Sequence, residues 1–214
     1  MTDRPPLPLG IQVRREPVQR RSAERLDTLL DAAAALIDER GIDALTTSDV
    51  ATRARSSVGV VYRYFRDIDA LVYGLARRNL DRLLARIEVA TQGDQKPTIT
   101  GDVDALIGEY VTMARTEPAF RVVRVGDSLV ERQATAPQEN DGTLLLGALR
   151  DILERRHGIT VDDEVAFELE IMVHVADGLL RRAFLYDRHG DDRFVDRLRT
   201  IVRDRLSGYE TRVL

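Results

Sequence analysis

Residues 46–65 read TTSDVATRARSSVGVVYRYF, and this stretch decides the fold. Thr46, followed three residues later by Asp49, gives a capping-box-like signal that begins a helix. A second helix can begin at Ser57, because a serine hydroxyl accepts well from the free N–H groups of a first helical turn. The apolar residues of the two helices recur at helical spacing: Val50, Ala51, Ala54, Val58, Val61 and Phe65. Two short helices joined by about three residues form a helix-turn-helix.

The chemistry of the same stretch suits contact with DNA. Arg53, Arg55 and Arg63 stand against the single acid Asp49. Gly59 lies inside the second helix, where glycine costs about 1 kcal/mol relative to alanine, so we expect its backbone to approach another surface closely. The second helix of such a unit enters the major groove of DNA. The pattern alone is equally compatible with an ordinary helical hairpin that has a solvated basic face.

Helical periodicity continues on both sides of this stretch. A first helix is expected from Ser22, a good N-cap, to Gly41, a residue suited to end a helix in a left-handed conformation. Asp67 is expected to cap a fourth helix. Residues 92–101 are a linker candidate, and the expected helices beyond it lie at about 102–116, 119–132, 142–157, 163–187 and 191–209. Because no strand alternation is found, we expect an all-α protein.

Composition argues against several classes of function. The chain has 214 residues and a net charge of −4, divided as +2 in residues 1–90 and −6 in residues 91–214. Cysteine is absent, which removes disulfides, thiol catalysis and cysteine-ligated zinc. No apolar run is long enough to span a membrane and no secretory signal is seen, so we expect a cytoplasmic protein. No phosphate loop, dinucleotide fingerprint, HExxH or GxSxG motif occurs, so we expect no enzyme, no metal site and no cofactor.

The run from Leu26 to Leu71 resembles the N-terminal domain of the tetracycline-repressor (TetR) family. The matching positions lie in the first three helices, the turn after the first and the start of the fourth: Leu29, Ala32, Ala33, Leu36, Ile37, Gly41, Leu45, Thr46, Thr47, Val50, Ala51, Ala54, Ser57, Gly59, Tyr62, Phe65 and Leu71. The most diagnostic part is the pair Tyr62 and Phe65 with Gly59 three residues ahead. The resemblance covers about fifty of the 214 residues. It implies a DNA-reading domain followed by a helical domain that binds a small molecule and dimerises.

The sequence departs from the family pattern in two places, the turn and the start of the fourth helix. Arg55 stands where the family usually has the glycine of the turn, followed by Ser56 where an apolar residue is usual. The turn then requires either that Arg55 adopt the glycine-like conformation or that the turn differ. Ile68 stands where a lysine usually contacts phosphate, so binding would depend more on the arginine-rich N-terminal residues.

The resemblance and the side-chain chemistry together assign roles in DNA binding. Thr47 and Tyr62 are expected to contact phosphate, which fixes the register on the duplex. The residues expected near base edges or thymine methyl groups are Ser57, Val58, Gly59 and Tyr64. Further arginines are candidates for phosphate, base or minor-groove contact: Arg20, Arg21, Arg55 and Arg63. For Arg20 and Arg21 the alternative is a solvated, disordered tail.

The C-terminal part is expected to sense a small molecule and to dimerise. The resemblance implies that two protomers pair through residues 163–187 and 191–209, whose apolar faces would otherwise fit the core of a monomeric bundle. The candidate effector-binding residues are Tyr110, Met113, Phe120, Leu129, Phe167, Ile171, His174 and Phe184. His174 shares a helix face with Glu170 and Asp177, which is compatible with a ligand anchor, an interface network or a metal site, but favours a partly exposed histidine beside acids.

These observations predict a specific organisation and function. A flexible basic arm at residues 1–21 precedes a helix-turn-helix DNA-binding domain at 22–66, and an effector-binding and dimerisation domain occupies 67–214. The expected function is a transcriptional regulator, with repression the commoner outcome in the family. Its partners would be double-stranded operator DNA, a small and mainly hydrophobic effector, and a second copy of the chain. The alternatives are an activator of the same fold and a non-catalytic helical adaptor that binds proteins.

Overall fold

The fold was examined in a computed structural model, which describes residues 16–91, 98–123 and 141–210. These ranges contain eight α-helices and one short 3₁₀ turn, Ile42–Ala44, and they contain no strand. The helices are α1 Glu16–Arg40, α2 Thr47–Arg53, α3 Val58–Tyr64, α4 Ile68–Thr91, α5 Ile99–Thr116, α6 Asp141–His157, α7 Asp163–Phe184 and α8 Asp192–Glu210. The predicted all-α class is confirmed. No helix in these ranges is both long and apolar enough to cross a membrane.

Helix α1 begins earlier than the sequence pattern indicates. It starts at Glu16 rather than near Ser22, so residues 16–21 of the expected flexible arm are helical. Pro17 misled the prediction, but proline is well tolerated in the first turn of a helix because its missing N–H has no partner there. The helix ends before Gly41 as predicted, and Gly41 has φ of 82°. Its ψ of 164° is extended, so the residue is not in the left-handed helical conformation that was expected.

Of the three N-caps predicted for α2, α3 and α4, two make the expected capping hydrogen bond. The Thr46 hydroxyl accepts from the Asp49 N–H at 3.1 Å and donates to the Asp49 carboxylate at 2.7 Å. The Asp67 carboxylate accepts from the Ala70 N–H at 2.7 Å. Ser57 occupies the N-cap position of α3, but its side chain makes no capping hydrogen bond. The predicted Ser57 cap is therefore wrong in its contact although right in its position.

The segment after α5 differs most from the prediction. Helix α5 begins at Ile99, capped by Thr98, and ends before Pro118. Residues 117–123 form turns rather than the start of a helix at 119, and Ala119 has φ of 60°. Residues 124–132 of that expected helix lie outside the described ranges. Helix α7 ends at Phe184 rather than 187, and Gly158 and Gly190 mark the breaks before α7 and α8 with positive φ.

The interior is divided into two main clusters that share α4. The first packs α1, α2 and α3 against the N-terminal half of α4, where Leu71 and Leu75 have no exposed surface. The second packs the C-terminal half of α4 against α5, α7 and α8, with Leu83 and Ile87 contributed by α4. The domain boundary predicted between residues 66 and 67 therefore lies at the start of α4, a helix that belongs to both clusters.

Candidate nucleic-acid interface and ligand cavity

The turn between α2 and α3 forms with Arg55 in the conformation that glycine usually takes. Arg55 has φ of 49°. Its N–H donates to the Thr52 carbonyl at 3.1 Å, and the Ser56 N–H donates to the Ala51 carbonyl at 2.8 Å. This pair of bonds is the Schellman pattern, which satisfies the last carbonyls of a helix and requires positive φ at the residue that follows the cap. The first of the two possibilities left open by the sequence is thus the one observed.

The outer face of α3 is open. Tyr62 is 54% exposed, and Ser57, Gly59 and Arg63 are exposed as well. A Cβ built on Gly59 would meet only the Ser57 hydroxyl, at 3.9 Å. No described part of the chain therefore accounts for a glycine there, and the backbone at Gly59 is open to the outside. Predicted core residues of this unit are confirmed as buried: Val50, Ala51, Val61 and Phe65.

Three of the residues expected to contact DNA form hydrogen bonds to each other or to α1. The Thr47 hydroxyl donates to the Tyr62 phenol at 3.4 Å, which places both groups on one edge of the unit. The Tyr64 phenol shares a hydrogen bond with Ser22 of α1 at 3.1 Å, and Tyr64 packs against the first cluster, as does Val58. Val58 and Tyr64 are half-buried, so part of each side chain stabilises the module.

The arginines of the unit fall into two groups. Arg53 forms a bidentate pair with Glu39, and this contact raises the pKa of Arg53 while the Arg53 hydrogen bonds lower the pKa of Glu39. Arg55 and Arg63 are exposed and form no ion pair within the described ranges, and the Arg63 guanidinium lies 5.5 Å from the centre of the Tyr64 ring. Arg53 is thus neutralised by the fold, whereas Arg55 and Arg63 remain available to phosphate.

The N-terminal arginines are placed on α1. Arg20 and Arg21 both lie within the helix, so the alternative of a disordered tail does not hold for them. The Arg21 side chain is exposed. They belong to the same helix as Ser22, whose hydroxyl bonds Tyr64, so the start of α1 lies beside the C-terminal end of α3.

A cavity of about 180 Å³ lies among α4, α5, α6, α7 and α8. The space that one water needs is about 10–15 Å³, so the cavity is large enough for an organic molecule. Its wall is mainly aliphatic, with residues such as Leu80, Leu83, Ile107, Leu149 and Met172. A mainly apolar wall with few polar groups is typical of small-molecule sites.

Two of the residues expected to bind an effector lie on this wall. Tyr110 and Phe120 line it, with their rings edge to face at 5.1 Å. Met113 and Phe184 are buried in the second cluster and do not line the cavity. Leu129 lies outside the described ranges.

Three expected residues on α7 point away from the cavity. Phe167 is 62% exposed, Ile171 is 38% exposed, and the His174 side chain is 77% exposed. Helix α7 is apolar on much of its circumference, so periodicity did not tell which face meets the cavity; Leu169, Met172 and Ala176 do. His174 lies 4.0 Å from Glu170, which is the partly exposed pair that the sequence favoured. Within the described residues no group of three His, Asp or Glu side chains is placed to hold a metal ion.

The polar groups of the wall were missed by the sequence reasoning. The buried Asp102 carboxylate accepts two hydrogen bonds from Arg156, at 2.8 and 3.1 Å, and lies 2.9 Å from Nε2 of His157. The buried Asn79 amide donates to the Val123 carbonyl at 3.2 Å. Asn79, Asp102 and His157 all line the cavity. The signal was present, since Asp102 shares the apolar face of α5 with Ile99 and Tyr110.

The open helix-turn-helix surface is that of a DNA-binding regulator, and it is joined to a helical domain that contains a separate apolar cavity. The family described as "Bacterial regulatory proteins, tetR family" matches residues 29–73. The family described as "Tetracyclin repressor-like, C-terminal domain" matches residues 97–209. The chain belongs to the TetR family of transcriptional regulators.

Individual relatives agree with this assignment. A TetR-family transcriptional regulator from Streptomyces coelicolor is 33% identical, with a TM-score of 0.73 over 87% of this chain and 97% of that one. An uncharacterized HTH-type transcriptional regulator of Bacillus subtilis, YvdT, is 29% identical over 76 residues, which is 36% of this chain and only 39% of the relative. RolR in complex with resorcinol shares the fold at 16% identity, with a TM-score of 0.54 over 86% of this chain and 89% of that one.

Proposed function

We propose that this regulator is a repressor that binds a pseudo-palindromic operator as a homodimer and leaves it when a small, mainly hydrophobic effector enters the cavity. The observation that carries the proposal is the continuity of α4. Its first half packs against the helix-turn-helix, and its second half supplies Asn79, Leu80 and Leu83 to the cavity wall. A ligand that changes the position of α4 changes the position of the DNA reader with it.

On the DNA side, α3 would occupy the major groove. Ser57 and Gly59 are small and exposed, so the helix can come close to base edges, while Tyr62 and Thr47 would bond phosphate from one edge. Arg63 and Arg55 add positive charge that no described acid neutralises. Arg20 and Arg21, at the start of α1, would lie toward the flanking groove.

The dimer would form through the outward faces of α7 and α8. Many apolar residues of these helices are used inside the protomer, since Leu180 and Leu198 are buried and Met172 lines the cavity. What remains exposed on α7 is a row at helical spacing that includes Phe167 and Ile171. Exposed apolar patches of this kind mark protein contacts, and a two-fold pairing there would present two copies of α3 to half-sites one helical turn or a multiple apart.

Release would follow from a shift of populations. An effector can move the equilibrium only by its differential affinity for the DNA-competent and DNA-incompetent states. Ion pairs tie α4 and the 117–123 turn to α1, through Arg78 with Asp31 at 2.7 Å and Arg121 with Asp38 at 3.2 Å. Movement at the cavity would therefore reach α1 through fixed contacts. The resorcinol complex of RolR shows that this fold can hold a small aromatic molecule.

The test is binding of the purified full chain to DNA fragments from its own upstream region, with scrambled competitor, at low and moderate salt. Specific binding by two protomers per site is expected, and it should be lost in the triple variant Gly59→Glu, Tyr62→Ala, Arg63→Ala. The variant Arg155→Ala, which removes an exposed charge from α6, is the control and should bind normally. Unchanged operator affinity in the triple variant would refute the assignment of the reader.

A further inference from the structure

Few of the described residues that line the cavity have polar side chains. The polar side chains that line it are Asn79, Asp102, Tyr110, His157 and Asp177. No lysine or arginine is among the described lining residues. Asp102 is already bonded to Arg156, and Asp177 lies 4.0 Å from Arg181. Among the described lining residues, an anionic ligand would therefore meet carboxylates and no arginine or lysine.

Asn79 presents a hydrogen-bond acceptor to the cavity. The residue is only 4% exposed, and its Nδ2 donates to the Val123 carbonyl. A carbonyl oxygen can only accept, so the amide nitrogen must face it and Oδ1 must face away. No hydrogen bond is made by Oδ1 to any described group. Because Asn79 lines the cavity, a ligand in the cavity can donate a hydrogen bond to this oxygen.

His157 presents a second acceptor. Its side chain is 6% exposed, and Nε2 lies 2.9 Å from the Asp102 carboxylate. A carboxylate oxygen accepts hydrogen bonds, so Nε2 carries a proton and donates to Asp102, and in the tautomer protonated at Nε2 alone Nδ1 is an acceptor. Nδ1 has no partner among the described groups. Among the described residues, the side-chain atom that is fully buried and has no hydrogen-bond partner is Arg78 Nε. His157 Nδ1 and Asn79 Oδ1 are therefore not fully buried, and a ligand can reach them.

We propose that the effector is an uncharged, mainly apolar molecule of about one ring in size that carries hydroxyl-type donors, recognised by Asn79 Oδ1 and His157 Nδ1. The inference rests on the proposed function only in taking this cavity as the effector site. The aliphatic wall supplies the binding of the apolar body, and the two acceptors select for donors, because a ligand without a donor leaves a buried acceptor unpaired. Carboxylates and esters or ethers of the same size are poor ligands.

The first test compares three aromatic probes of similar size on the full chain in the absence of DNA. The probes are 3-ethylphenol, which has a donor, its isomer 3-methylanisole, which has only an acceptor, and 3-methylbenzoate, which is an anion. Calorimetry should give at least about fivefold tighter binding of the phenol than of either other probe, since one or two hydrogen bonds to buried acceptors are at stake. Equal or tighter binding of the ether or the anion, or no binding of any probe at millimolar concentration, overturns the proposal.

The second test assigns the preference to the two acceptors. In the double variant Asn79→Leu, His157→Phe the preference for the phenol over its isomer should fall to near unity. Leu83→Met, a change of similar volume on the same wall, should keep it. A preference that survives in a folded double variant overturns the assignment of the acceptors.

A spectroscopic readout on the unaltered chain protects the test against variants that fail to fold. The chain has three histidines, and His174 and His189 are exposed. The ¹⁵N shift of His157 Nδ1 should move when the phenol binds and should not move with 3-methylanisole, while the other two histidines serve as internal references. Operator binding, measured separately, distinguishes failure of the effector class from failure of the proposed function. If other ligands release the chain from its operator, only the effector class is wrong. If the chain does not bind DNA at all, the proposed function is wrong regardless of the probes.

Discussion

Replacing Arg55 by glycine should make the protein more stable and at the same time weaken its binding to DNA. Arg55 holds φ of 49° at the end of α2, in a pattern that favours glycine. The left-handed conformation costs a residue with a Cβ about 1–2 kcal/mol. Glycine escapes that cost but loses about 0.4–1 kcal/mol through the greater freedom of its unfolded chain. The net expected gain is about 0.5–1 kcal/mol, which for a chain of this length raises Tm by about 1–4 °C.

The effect on DNA binding has a separate origin and a separate magnitude. Arg55 is exposed and forms no ion pair within the described residues, so its charge is free to meet phosphate. Each lost phosphate contact lowers the slope of log affinity against log salt by about 0.9, which gives about 1.8 for a dimer. Operator affinity should fall most at low salt.

Arg55→Ala is the matched control, because it removes the charge but keeps the Cβ. It should leave stability within about 0.5 kcal/mol of the parent and should reduce the salt slope as much as Arg55→Gly does. Denaturant unfolding and operator titrations at several salt concentrations measure the two properties. If Arg55→Gly is no more stable than Arg55→Ala, the backbone argument is wrong; if neither changes the salt slope, Arg55 does not contact phosphate.

Three further changes test other parts of the structure. Thr46→Ala should destabilise the chain by about 1 kcal/mol because it removes the cap of α2, whereas Thr46→Ser should keep that stability in denaturant unfolding. Hydrogen bonds from Arg193 lower the pKa of Asp191, so the charged carboxylate stabilises the fold at neutral pH. Asp191→Asn should therefore lower Tm at pH 7. The difference in Tm between variant and parent should disappear as the pH falls below about 4, where the carboxylate becomes protonated. A difference that persists at low pH would contradict that account. Phe167→Glu should dissociate the proposed dimer in sedimentation experiments, while Val89→Glu, at a similarly exposed position on α4, should not.

The DNA reader could be predicted from sequence because its signals are local. The cap at Thr46, the spacing of Gly59 and Tyr62, and the apolar residues of α2 and α3 each act within a few residues along the chain. The glycine-like conformation of Arg55 was one of two possibilities and needed coordinates to decide. Helix α1 was placed too late, because proline was taken as a sign of disorder where it fits a first helical turn.

The C-terminal helical domain was predicted less well, because the contacts that decide its structure join residues far apart along the chain. A buried apolar residue has the same pattern whether it meets another helix, a cavity or a second protomer. Met113 and Phe184 are buried in the second cluster whereas Phe167 is exposed, and periodicity does not separate the two environments. The turn at 117–123 likewise depends on contacts far along the chain, such as Ala119 packing into the first cluster.

Polar residues on apolar helix faces carry more information than the apolar residues around them. Asn79 interrupts the buried face of α4, and burial there is unfavourable unless the amide finds partners. Arg78, the preceding residue, is bonded to Asp31 of α1, and burial lowers its pKa and leaves its Nε without a partner. Burial of the Arg78 guanidinium is likewise unfavourable, because its Nε–H has no hydrogen-bond partner among the described groups. These two residues are neighbours on one helix, one facing the cavity and one bonded to α1, so adjacent residues of α4 join the proposed ligand site to the DNA-binding unit.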